Sequence, residues 1–204
     1  MDRGDKYSLL LLVGGKSSRM GKNKAELLYD GMTFAEQLIT KAEAVGLTQI
    51  YVSGYQQEHG NVHIVWDEYP NRGPLGGLHA CMKVIETPYC LVLPVDVPQI
   101  PVDVLERLLT HHETHAIKKG EKDVPLLLEH GDRKEYLIGI YPVVMVNAIE
   151  ERIKERSASV HGMLEEWEYE CCRIDIPAWQ AANINTPDAY EGLILRKEKR
   201  NLEC

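Results

Sequence analysis

Two apolar periods alternate along the chain. Tyr7–Val13 is an almost unbroken apolar run, with the length and bounds of a strand buried on both faces. Thr33-Phe34-Ala35-Glu36 has the form of a capping box, which opens a helix running to about Val45 and stopping at Gly46. Gln49–Ser53 and Val62–Trp66 read as short strands. Leu75, Leu78, Met82 and Ile85 fall at steps of three, four and three, one face of a helix that Thr87-Pro88 breaks. Tyr89–Leu93 is a second buried-strand pattern, and Pro101 opens a helix through about His111.

The second half is less regular. Val124–Glu129 and Glu135–Tyr141 predict two strands around the turn His130-Gly131-Asp132-Arg133. A helix from about Val143 to Arg156, a short one near Val160–Trp167 and a late strand at Cys171–Ile176 follow. Thr186 is placed to cap a final helix, with Pro187 at its first position. Strand and helix in alternation build right-handed βαβ units and a mostly parallel sheet. The expectation is an α/β fold, a single Rossmann-like domain over residues 1–204 with helices on both faces of the sheet.

Composition sharpens this only in places. With 204 residues, 44% of them hydrophobic and 26% charged, the chain can bury a sizeable core. A single Phe leaves that core to Leu, Ile and Val. The net charge of −8 argues against non-specific nucleic-acid binding. Five cysteines, two of them adjacent and none in a C-x-x-C, fit neither a disulfide framework nor a zinc site. Free thiols in a reducing cytosol are expected. The opening Met-Asp-Arg-Gly-Asp-Lys carries no apolar signal core, and no apolar run is long enough to span a bilayer. A cytoplasmic protein without a membrane partner is therefore expected.

Against the acidic background one basic loop stands out. The first strand empties into Gly14-Gly15, and Lys16, Arg19, Lys22 and Lys24 then place four positive charges within nine residues. Glycines open the backbone to a close ligand, and Ser17 and Ser18 add hydroxyl donors. Donors and cations at the C-terminal end of a strand suit a polyphosphate. The spacing is neither that of a P-loop nor that of a dinucleotide fingerprint. Asp96 follows a predicted central strand between Pro94 and Pro98, stiffly held. It suits Mg²⁺, which takes one or two carboxylates and completes its shell with phosphates and water. A turn aspartate fits the same residues. Asp67 also follows a strand and precedes Arg72-Gly73-Pro74-Leu75-Gly76-Gly77, a second glycine-rich helix start. Its carboxylate can accept from a base or a ribose hydroxyl, or the turn can serve geometry alone. His111-His112-Glu113-Thr114-His115 misses the His-Glu-x-x-His spacing by one residue and reads as a solvated helix end.

Four stretches together resemble one family. Leu12-Val-Gly-Gly-Lys-Ser-Ser-Arg-Met-Gly-Lys-Asn-Lys24 is similar to a Leu-x-Gly-Gly-x-Ser-x-Arg-Met-Gly-x-x-Lys signature. Gly73-Pro-Leu-Gly-Gly77, Pro94-Val-Asp-Val-Pro98 and Asn183-Ile-Asn-Thr-Pro187 resemble the same family's other motifs, in the right order. The family is the molybdenum cofactor guanylyltransferases, within the wider nucleotidyltransferases built on the nucleotide-diphospho-sugar transferase fold. The resemblance implies transfer of GMP from GTP to molybdopterin, with release of pyrophosphate. It implies that Leu12, Val13, Gly14, Gly15, Lys24, Asp67, Gly77 and Asp96 hold the nucleotide, and that Asp96 ligates Mg²⁺. Arg19 and Lys24 would stabilise the departing pyrophosphate. Asn183, Asn185 and Arg156 fall where the family handles the acceptor, although Arg156 fits a helix-end cation equally well. The chain then divides at about residue 110 into a nucleotide half and an acceptor half. Other cofactor-biosynthesis proteins and molybdoenzymes are implied partners. The family often has Asn after its second strand, where this chain has Ser53-Gly54. A related transferase using CTP or another acceptor, and a non-catalytic nucleotide-binding module, are the alternatives.

Overall fold

The computed structural model describes residues 2–13, 23–55, 62–119, 124–155 and 159–202. Gly14, Gly15, Arg19 and the rest of the basic loop before Asn23, together with Arg156, lie outside the described residues.

A short helix α1 (Arg3–Lys6) leads into β1 (Tyr7–Leu12), every residue of which is buried. A 3-10 turn at Lys24–Glu26 and a small hairpin, β2 (Leu28–Tyr29) and β3 (Met32–Thr33), precede α2 (Phe34–Ala44). The capping box at Thr33 and Glu36 is formed, with both reciprocal bonds present. Then come β4 (Ile50–Ser53), β5 (Val62–Val65), α3 (Pro74–Met82), β6 (Tyr89–Pro94) and α4 (Val102–Lys119). The second half supplies β7 (Leu126–His130), β8 (Arg133–Pro142), α5 (Val146–Lys154), α6 (Val160–Glu165), β9 (Glu170–Arg173) and α7 (Pro187–Leu202).

Seven strands form one sheet in the order β5-β4-β1-β6-β8-β7-β9. β5, β4, β1 and β6 run parallel; β8 is antiparallel to both its neighbours; β7 and β9 are again parallel. The sheet is thus mostly parallel, as expected. Alternation along β1 divides the core. Leu9 and Leu11 pack with Phe34 and Leu38 of α2, Leu105 and Leu108 of α4 and Leu193 of α7. Leu10 and Leu12 face Leu75 and Leu78 of α3, Ile149 and Ile153 of α5 and Leu164 of α6. Helices therefore cover both faces, and burying both faces accounts for the uninterrupted apolar run.

α1, the β2–β3 hairpin and the length of α4 differ from expectation. The β2–β3 hairpin is absent from the sequence reading, although its turn is Asp30-Gly31, both at positive φ. α4 does not stop at His111 but continues to Lys119. Arg3 bonds Glu106 and Thr110 on the predicted part of the helix and Glu113 on the extension, tying both to the chain's start. The His111 and His115 rings stack at 3.9 Å between centroids, and Tyr7 Oη lies 2.9 Å from His112 Nδ1. In the histidine-rich stretch His111, His112 and Glu113 are half-buried, and Thr114 and His115 are exposed. Among the described residues no cluster of three or more His, Cys, Asp and Glu is set to hold a metal, and no helix is long and apolar enough to cross a membrane.

The β7–β8 pairing shifts register between Leu127 and Leu128, where Gly139 lies opposite. A Cβ at Gly139 would fall 2.4 Å from the Leu126 carbonyl oxygen, so only glycine fits. Gly139→Ala should cost about 1–3 kcal/mol of unfolding free energy, as overpacking against backbone does. Urea denaturation checks this; an unchanged midpoint would show that β8 does not approach β7 so closely.

Candidate active site

The C-terminal ends of four adjacent parallel strands line one cleft, where ligands of open α/β sheets bind. β1 contributes Leu12 and Val13, β4 contributes Ser53, β5 leads to Asp67, and β6 leads to Asp96.

The floor is built from a glycine helix start. Gly73 precedes α3 with φ 59°, a conformation that favours glycine, and Pro74 occupies the first helical position. A Cβ on Gly77 would meet Ser53 Oγ at 2.8 Å and Leu12 Cδ2 at 2.9 Å. A Cβ on Gly76 would meet Asp67 Oδ2 at 3.0 Å. Two bare backbone positions thus let α3 lie against the ends of β1 and β4 and against Asp67. Ser53 is 2% exposed, and its hydroxyl accepts a hydrogen bond from Val13 N at 3.4 Å. It braces the first strand's exit. Asp67 is half-buried; burial pushes its carboxyl above the usual range, opposed by His79. Its Oδ1 is buried without a partner.

At the other end of the row, Val95 N donates to the Leu12 carbonyl at 2.9 Å, extending the β1–β6 ladder by one rung. The next residue is Asp96. Its main-chain carbonyl accepts from Ile184 N at 2.8 Å. Its Oδ2 lies 3.3 Å from Lys24 Nζ, with the side chains only 15% and 20% exposed. Burial raises the Asp96 carboxyl and Lys24 opposes the rise. Oδ1 of Asp96 is buried with no protein partner. An unpaired, desolvated carboxylate oxygen at a strand end suits a hard divalent cation, and a single carboxylate is within the usual Mg²⁺ set.

Lys24 reaches this point because Asn23 caps the 3-10 turn and Ala25 buries behind it. Its ammonium also donates to Asn185 Oδ1. Asn185 is exposed and follows Ile184, which is buried in the core and anchors the segment. Thr186 Oγ1 accepts from Ala189 N at 3.2 Å, the expected cap. Asn183 is exposed on the same segment. The structure therefore gathers Lys24, Asp96 and Asn185, and separately Leu12, Val13, Gly77 and Asp67. Gly14, Gly15, Arg19 and Arg156 fall outside the described residues.

A family model described as the MobA-like NTP transferase domain matches residues 9–169. The chain belongs to the MobA-like NTP transferase family. Its members are nucleotidyltransferases, and this chain is an enzyme of that class. A probable molybdenum cofactor guanylyltransferase from Clostridium perfringens is 33% identical over 95% of this chain and 98% of its own. The crystal structure of molybdopterin-guanine dinucleotide biosynthesis protein A from Archaeoglobus fulgidus superposes with a TM-score of 0.74 at 22% identity, over 95% of this chain and 99% of that one. A Mycobacterium tuberculosis protein solved as a complex with manganese gives 0.68 at 14% identity, over 93% and 98%. The two structural likenesses speak for the fold.

Family resemblance did not reveal Lys41. It stands on the apolar face of α2, three residues after Leu38 and seven after Phe34, where the sequence period alone flags it. Its ammonium donates to the Pro98 carbonyl at 2.5 Å, under the turn that carries Asp96. Burial lowers its pKa to about 8. Below about pH 8 the folded and unfolded chains both hold the proton, so burying the charge weighs fully on the fold. Between there and the ordinary value of 10.5 the unfolded chain binds more protons, so stability rises with pH. The unfolding free energy of the natural protein should therefore gain on that of Lys41→Met between about pH 7 and about pH 9.5. A constant difference in denaturation across that range would show that Lys41 is not buried as a cation.

Proposed function

We propose that this enzyme transfers GMP from GTP to molybdopterin, forming the guanine dinucleotide cofactor and releasing pyrophosphate. The observation that carries the reading is the Lys24–Asp96 pair at the C-terminal ends of the central strands. The names of the relatives support guanine and molybdopterin as the two halves of the product.

In this reading the terminal phosphate oxygen of the acceptor attacks the α-phosphorus of GTP. A new P–O bond forms as the bond to the β-phosphate breaks, and pyrophosphate departs with its electron pair. A phosphate oxygen is already nucleophilic, so positioning and charge neutralisation carry the catalysis. The backbone at Leu12, Val13, Gly14 and Gly15 meets the phosphates. The Lys24 ammonium and Arg19 face the charge growing on the leaving group. Asp67 and the bare surface at Gly77 receive the nucleoside. Asp96 would hold Mg²⁺, which would supply neutralisation of phosphate charge. Residues to about 110 serve the nucleotide and the remainder serve the acceptor, with Asn183 and Arg156 on the acceptor side. Asn185 joins the two sides through Lys24, so variants there disturb both substrates. The thiols of Cys81, Cys90, Cys171 and Cys172 are free, which supports a reducing, cytoplasmic setting.

Pyrophosphate release with GTP and molybdopterin tests the reading, with CTP as the competing nucleotide. GTP should be turned over and CTP should not; the reverse preference overturns guanylyl transfer. In the same assay Lys24→Ala should lose about 10²–10³-fold in rate, as removal of one preorganised donor does. Asp96→Asn should still fold, at reduced stability, but demand far more Mg²⁺, because a neutral amide is a weaker ligand for a hard cation. An unchanged Mg²⁺ requirement would remove Asp96 from the metal site.

A further inference from the structure

The Lys24 ammonium is stationed, not free. Asp96 Oδ2 holds it on one side at 3.3 Å, and Asn185 Oδ1 holds it on the other. The contacts join residues far apart in sequence, and both charged side chains are largely shielded from water. The main chain fixes the arrangement as well. Ile184 N donates to the Asp96 carbonyl, so the segment that presents Asn185 is pinned to the turn that presents Asp96. A cation is thus delivered to Asp96, the carboxylate read here as the metal ligand.

Two cations cannot share that carboxylate cheaply. A divalent ion on one oxygen would sit close to an ammonium on the other, with little water between them to screen the repulsion. Lys24 has one better partner within the reaction, the polyphosphate of the nucleotide, which carries several negative charges against the single charge of Asp96. We propose that Lys24, positioned by Asn185, competes with the divalent cation for Asp96, and that nucleotide phosphates draw Lys24 away before the cation is held tightly. Asn185 is then a positioning residue for the nucleotide side of the reaction. The cleft loads in order, nucleotide before the tightly held metal. The lysine keeps the buried carboxylate compensated until then. This rests on the reading of Asp96 as the metal carboxylate and of a nucleoside triphosphate as the substrate.

The test is Mn²⁺ binding to the full chain without nucleotide, followed by paramagnetic resonance of free Mn²⁺ and by the rise in melting temperature that Mn²⁺ causes. Wild type should bind Mn²⁺ weakly. Lys24→Met should bind it about tenfold tighter or more, and adding Asp96→Asn to that variant should abolish the gain. Asn185→Ala, at an exposed position, should move affinity the same way by about 2- to 5-fold, and decides the matter if Lys24→Met does not fold. Unchanged or weaker Mn²⁺ binding in Lys24→Met, or in Asn185→Ala where only that variant folds, overturns the competition. If Asp96→Asn meanwhile keeps its raised Mg²⁺ demand in the activity assay, only the competition fails. If Asp96→Asn shows the natural Mg²⁺ demand, the metal reading itself fails. A gain in Mn²⁺ affinity that survives Asp96→Asn places the cation elsewhere and also overturns the proposal.

Discussion

Asp96 carries a charge into a site where its side chain is only 15% exposed, and the ammonium of Lys24 at 3.3 Å compensates it. The rest of the cleft is arranged around that pair. β6 delivers Asp96 because its ladder with β1 continues one rung past the strand, through Val95 N and the Leu12 carbonyl. The 3-10 turn after the basic loop delivers Lys24 because Asn23 caps it and Ala25 is buried. Ile184, buried in the core, delivers Asn185 from the far end of the chain. Removing the charge from either member of a shielded pair leaves the other uncompensated, which costs far more than the pair contributes.

A stable fold alone would not ask for these groups. Burial raises both carboxyls of the cleft, Asp67 and Asp96, and each leaves one buried oxygen without a protein partner. Lys41 holds a buried cation under the Asp96 turn, with the Pro98 carbonyl as its acceptor. Each costs folding free energy at neutral pH, and they gather at the C-terminal edge of the sheet. The core beneath is ordinary: leucines and isoleucines of β1 and the flanking helices, close to fully buried. Unpaired polarity concentrated above a well-packed base is the expected pattern where binding energy is held in reserve for a ligand.

Local signals made most of the fold legible. The unbroken apolar run of β1, the capping box at Thr33, Gly73-Pro74 at the start of α3 and Thr186-Pro187 at the start of α7 each act within a few residues. Motif order singled out Lys24, Asp67, Asp96 and Asn185 as candidates. Their mutual geometry was not legible, because the Lys24–Asn185 bond spans 161 residues and depends on how α7's leading segment packs. Distance in sequence also hid the length of α4, which Arg3 braces from more than 100 residues away. Asp30-Gly31 is readable as a hairpin turn, and Lys41 as a charge on an apolar stripe; both signals are local. Ser53 is different again. Only its burial and its bond to Val13 N reveal it as a brace, at a position where the family often has Asn.

The central claim is that this cleft moves a nucleotidyl group onto a phosphate. Parallel reactions with GTP radiolabelled on its α-phosphate and on its γ-phosphate, each with molybdopterin and Mg²⁺, test it most directly. The account predicts that the α label joins the pterin product while the γ label leaves in pyrophosphate. An α label that stays with free GMP or GDP, or a γ label released as orthophosphate, would contradict it.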